Sequence, residues 1–108
     1  MKLLILPNIN TVFVDLISAN IDCSQMTNCK KIIWNGEKGL VLYYDETVTK
    51  LLTDVSEYDA IIQQHQAIVA AYDTDQLDLH TRPDVVDHAF ANFDYEWEFN
   101  SSDEVQQP

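Results

Sequence analysis

Both glycines of this 108-residue chain, Gly36 and Gly39, fall between Lys31 and Tyr44. Glycine reaches left-handed backbone angles without steric cost, so a chain with only two concentrates its tightest reversal there. Ile32, Ile33 and Trp34 precede the pair, and Leu40, Val41, Leu42, Tyr43 and Tyr44 follow it. Two such runs about an Asn-Gly-x-x-Gly loop predict a β-hairpin over 31–44. Strand alternation sets Ile32 and Trp34 against Ile33, and Leu40, Leu42 and Tyr44 against Val41 and Tyr43. Both sides are apolar. An antiparallel sheet ordinarily buries one face and wets the other, whereas a sheet built on this hairpin needs cover on both.

Further strands are expected at 3–6 (Leu-Leu-Ile-Leu, stopped by Pro7) and at 11–18. In the second, Val12, Val14 and Leu16 oppose Phe13, Asp15 and Ile17. Residues 19–30 are rich in Asn, Asp, Ser, Thr and Gln and read as a loop. Residues 46–52 read as an edge strand or an extended connector.

One amphipathic helix is expected at about 57–72. Ser56 followed by Asp59 resembles a capping box. Tyr58, Ile61, Ile62, His65, Ile68, Val69 and Tyr72 recur at spacings of three and four, which makes one apolar stripe. Asp73 and Asp75 oppose the dipole of that helix and end it. Residues 73–82 read as a polar connector, and Pro83 suits the first position of a short helix over 83–92. Residues 93–99 alternate Phe93, Tyr95, Trp97 and Phe99 with Asp94, Glu96 and Glu98. Period two predicts a strand or an extending arm with one aromatic and one acidic face. The polar residues 100–108 read as a flexible tail. The fold class expected is α+β, a small antiparallel sheet in a single domain over 1–99.

One helical stripe covers one face of such a sheet. The second face falls to the aromatic side of 93–99 or to a neighbouring subunit. A large side chain left wet forgoes about 1.5–3 kcal/mol. Four or five of them would rival the whole stability of a small domain, about 5–15 kcal/mol. Phe93, Tyr95, Trp97 and Phe99, with Trp34 and Tyr43 on the sheet, are therefore the expected partner-binding residues.

The net charge of −12 is uneven. Residues 1–54 carry five Lys against six Asp plus Glu, and residues 55–108 carry one Arg against twelve. A surface of that sign is repelled by phosphate, which argues against direct nucleic-acid or anionic-membrane binding. It leaves a solubilising flank, or a face that docks on a basic partner. The N-terminal Met-Lys-Leu-Leu-Ile-Leu-Pro imitates a signal-peptide start, but its apolar part is cut short by Pro7. No apolar run approaches a membrane span.

No catalytic chemistry is legible, and neither cofactor nor metal is expected. His80 and His88 lie near Asp78, Asp84 and Asp87, but the spacing matches no defensible metal motif. Asp73, Asp75 and Asp78 lack the glycine and terminal glutamate of a calcium loop. His65 sits on an apolar stripe with no nucleophile motif near it. Cys23 and Cys29 lack two further zinc ligands and read as reduced thiols. Two glycines after Asn35 match no phosphate-binding fingerprint.

Ile32-Ile33-Trp34-Asn35-Gly36-Glu37-Lys38-Gly39, a strand ending in Tyr43-Tyr44-Asp45, the link Glu46-Thr47-Val48-Thr49 and a helix over Asp59 to Tyr72 together resemble a group of small proteins of tailed bacteriophages. The resemblance covers residues 31–72. It implies a tail- or fibre-associated virion or assembly protein, made in the host cytoplasm, whose partners are other virion proteins or copies of itself. No functional residue carries over beyond the hairpin. The alternative is an acidic phage-encoded inhibitor that mimics nucleic acid and occupies a basic cleft of a host defence or nucleic-acid enzyme.

Overall fold

The computed structural model describes the backbone of residues 1–106 and the side chains as far as Ser101. The fold is α+β, a six-stranded antiparallel sheet packed by helices on both faces. The strands are β1 (Leu3–Leu6), β2 (Thr11–Val14), β3 (Ile17–Asn20), β4 (Cys29–Trp34), β5 (Gly39–Tyr43) and β6 (Thr49–Leu52), in the order β3-β2-β1-β4-β5-β6. Two three-stranded meanders thus meet where β1 pairs with β4, Leu3 against Trp34 and Ile5 against Ile32.

The β4–β5 hairpin forms as expected. Gly36 takes φ +102° at the turn, while the Asn35 side chain accepts the N–H groups of Glu37 and Lys38, each at 2.9 Å. Gly39 serves a different purpose. A Cβ there would collide with the Ile33 carbonyl and press on the Trp34 ring, so this glycine is set by close approach rather than by turning.

The predicted strand at 11–18 is two strands. The chain reverses at Asp15, whose φ is +55°, and Leu16, and β3 then runs on to Asn20, inside the segment read as a loop. Aspartate tolerates left-handed angles, and its carboxylate accepts the Lys2 N–H at 3.0 Å. At 46–52 the strand is confined to β6, at the sheet's edge.

α1 (Asp59–Ala70) follows a 3-10 turn at Ser56–Tyr58. Ser56 does not cap it: its N–H and hydroxyl both go back to Asp54 Oδ1, at 3.0 and 2.7 Å. Tyr58, Ile61, Ile62 and Ile68 pack on the sheet face formed by Leu3, Ile5, Val12, Ile32, Trp34 and Val41. The expected connector at 73–82 holds α2 (Thr74–His80), with Asp73 and Gln76 forming a capping box. The carboxylate that ends α1 begins α2. α3 (Pro83–Phe90) has Pro83 in its first turn, as expected.

The largest correction is at the C-terminus. Residues 93–99 are neither strand nor arm, because Phe93–Gln106 is one helix, α4, which runs on into the segment read as a tail. Gln107 and Pro108 lie outside the described residues. A two-residue alternation is also a set of i, i+4 pairs. At 100° per residue Phe93 and Trp97 fall on one side and Tyr95 and Phe99 on the opposite side. The inner pair covers the second sheet face. Phe93 and Trp97 of α4 join Val85, Val86, Ala89 and Phe90 of α3 over Leu4, Phe13, Ile33 and Leu40. The apolar surplus of the sheet is thus absorbed within the chain, and the need for an outside cover falls away. Among the described residues no helix is long and apolar enough to cross a membrane.

Candidate partner-binding face

The six sequence-predicted contact residues separate into three groups. Trp34 and Phe93 are buried on opposite faces of the sheet and are core residues. Tyr43 and Trp97 are half-buried. Tyr95 and Phe99 remain outside, 72% and 58% exposed.

α4 is held against the sheet by its inner side. Phe93 meets Phe90 of α3 with ring centroids 5.8 Å apart. The Lys38 ammonium lies 5.1 Å over the Trp97 ring, and Lys2 lies at the same distance over Phe90. Cations from the near-neutral first half therefore pin the acidic second half through aromatic faces, each contact worth about 0.5–1 kcal/mol when exposed. Asn100 Nδ2 donates to the Glu96 carbonyl at 2.7 Å, and the Ser101 hydroxyl donates to the Trp97 carbonyl at 2.8 Å.

With the inner side fixed, the outer side is fixed too. The Tyr95 and Phe99 rings stack at 6.5 Å with 20° between planes. Helical geometry puts Asp94 and Glu98 along one flank of that pair and Glu96 along the other. The result is a short aromatic ridge between carboxylates. Aromatic residues with a polar surround are the composition favoured at protein interfaces.

Few cations offset the acidic surface. Lys50 pairs with Glu57 at 2.9 Å and Arg82 with Asp84 at 3.0 Å, while Lys2 and Lys38 sit on rings. Both ion pairs are about half exposed, so they contribute little to stability.

Two of the three histidines, His65 and His80, are used in the fold. His65 is buried and its Nε2–H donates to the Ile17 carbonyl at 2.7 Å. Burial pushes its pKa below the ordinary imidazole value. His80 Nδ1 lies 3.2 Å from the Ser18 hydroxyl, and its ring stacks on Tyr72 at 4.6 Å. Cys23 and Cys29 are free and buried, and burial raises both thiols, which makes them poor nucleophiles. Among the described residues, no three His, Cys, Asp or Glu side chains converge as metal ligands would.

Sequence reasoning did not single out Tyr44 and Val48, which are 57% and 48% exposed beside β6. Their position follows from the short link between β5 and β6, whose turn is held by Asp45: its carboxylate accepts from the Thr47 N–H and hydroxyl, at 3.0 and 2.6 Å. Comparison with family models, with curated proteins and with solved structures gives no match for this chain.

Proposed function

We propose that this chain is a non-enzymatic assembly or adaptor protein that works by protein–protein contact through the outward face of α4. The observation that carries this reading is the exposed Tyr95–Phe99 stack on a helix whose other side is anchored by Phe93 and Trp97. Anchoring gives the ridge a fixed shape before any partner arrives, and a preformed aromatic surface binds at low ordering cost. Exposed apolar area of this kind marks interaction sites. The resemblance of residues 31–72 to small tailed-phage proteins supplies the setting, a tail- or fibre-associated position in a virion, with other virion proteins or further copies as partners.

The test is binding of the full chain to the purified structural proteins of the phage particle that encodes it, with light scattering to report self-association. The double variant Tyr95→Ala/Phe99→Ala should bind at least tenfold more weakly while melting as the parent does. A chain that stays monomeric and binds no particle component would overturn the proposal.

One observation favours the second reading. Asp75, Asp78, Asp84, Asp87, Asp94 and Glu98 are all exposed on α2, α3 and α4. An acidic inhibitor would use them against a basic cleft, and its complex with the target enzyme would dissociate steeply as salt rises. Binding carried by Tyr95 and Phe99 would weaken far less with salt.

A further inference from the structure

The two edges of the sheet are finished differently. At β3 the groups nearest the turn, from Leu16 to Ser18, are taken, while Asn20 at the far end is exposed. The Arg82 N–H donates to the Leu16 carbonyl at 2.8 Å, Thr81 bridges to Ile17, and the Tyr72 hydroxyl donates to the Ser18 carbonyl at 3.1 Å. At β6 the phase of the ladder follows from the turn, where the Asn35 N–H bonds the Lys38 carbonyl at 3.0 Å. Antiparallel pairs alternate between bonded and non-bonded. Ile33 and Leu40 therefore bond each other, Gly39 bonds Leu52, and Val41 bonds Lys50. That leaves the N–H and C=O groups of Thr49 and Leu51 pointing away from the sheet. Among the described residues no hydrogen bond from outside the ladder reaches them.

Grooves flank this edge. One, of about 200 Å³, is lined by Leu42, Val48, Thr49, Glu96 and Asn100 among others. The second, of about 250 Å³, includes Leu52, Asp54 and Glu57. An added strand would send alternate side chains toward opposite faces of the sheet. Each groove offers apolar wall, two carboxylates and one lysine: Glu46 and Glu96 with Lys30 in the first, Asp54 and Glu57 with Lys50 in the second, so each is net acidic. A second copy fits badly. Pairing β6 with itself through Thr49 and Leu51 would set Lys50 opposite Lys50, with −12 on each chain.

We infer that the β6 edge docks an extended segment of a partner protein, rich in apolar and basic residues, as a seventh antiparallel or parallel strand. Main-chain bonds to Thr49 and Leu51 supply the register, and the grooves select the side chains. This site borders the flank of α4 at Glu96 but includes neither Tyr95 nor Phe99.

The experiment is selection of random twelve-residue displayed peptides against the full chain, followed by titration of the best synthetic peptide. The peptide should slow amide exchange at Thr49 and Leu51 at least tenfold and bind less tightly as salt rises. Thr49→Pro removes one outward donor and no ladder bond, and should weaken binding at least tenfold. Tyr95→Ala/Phe99→Ala should bind the peptide as the parent does, which separates this site from the α4 reading. The exchange measurement on the unaltered chain decides the matter should Thr49→Pro melt early. Failure to select a binder, unchanged exchange at Thr49 and Leu51, or protection of both amides by raised protein concentration alone would overturn the inference.

Discussion

β3 and β6 are both four-residue edge strands of one sheet, yet only β3 is met by the rest of the chain, at its turn end from Leu16 to Ser18. The β3 edge is sealed by groups from the far side of the chain: His65 of α1, Tyr72 just after it, and Arg82 just before α3. The β6 edge carries Lys50 and a nearby acidic rim instead, a charge-based defence against indiscriminate pairing. A closed edge belongs to folding. An edge left open and merely charged is compatible with a chosen partner.

The difference can be broken from either side. The largest effect is expected for Lys50→Pro, which removes an inward N–H from the β5–β6 ladder and should cost about 3 kcal/mol or more. Chemical denaturation read by circular dichroism measures it. His65→Ala should follow, at about 2–3 kcal/mol, because it opens a cavity and strips the Ile17 carbonyl of a donor. Tyr72→Phe keeps the stack on His80 and removes only the bond to Ser18, so about 0.5–1.5 kcal/mol is expected. Thr49→Pro should fall within about 0.5 kcal/mol of the parent, as substitutions away from the packed interior do. Equal costs for Lys50→Pro and Thr49→Pro would contradict a ladder in which Lys50 points inward and Thr49 outward.

The β3 edge should also respond to pH. His65 has its folded pKa depressed, chiefly by burial, while the Ile17 carbonyl and the charge of Asp15 pull the other way. The unfolded chain therefore takes up the proton first. The contribution of His65 is fully present above about pH 6.5, the unperturbed value, and declines as pH falls below it toward the folded pKa. Denaturation midpoints of the parent and of His65→Gln at pH 7.5 and 5.5 measure this. The parent should lose more stability on acidification than the variant does.

Much of the sheet is legible in the sequence. The β4–β5 hairpin was written twice over, in its apolar runs and in the Asn35-Gly36 turn. The stripe of α1 and Pro83 of α3 marked their helices. The failures have physical causes. The spacing of Phe93, Tyr95, Trp97 and Phe99 satisfies both a strand and a helix, because period two contains the i, i+4 pairs. The deciding signals were the acidic first turn, Asp94 and Glu96, and the lack of any β-branched residue over 93–99. Asp15 amid apolar residues hides a reversal, and Asp73, whose charge ends one helix, also begins the next. Of the candidate site, the identity of Tyr95 and Phe99 was legible. Which aromatics face outward was not, since that depends on which sheet face α4 must cover. The sealing of β3 was invisible for a related reason: it rests on partners 48 residues apart in sequence for His65 and Ile17, and as far apart as Arg82 and Leu16.

Amide exchange of the free chain, residue by residue along β6, probes the unequal edges most directly. Lys50 and Leu52 should exchange slowly while Thr49 and Leu51 exchange close to unprotected rates, and the Arg82 amide at the other edge should be slow. Protection of Thr49 and Leu51 equal to that of Lys50 and Leu52 would contradict an open β6 edge.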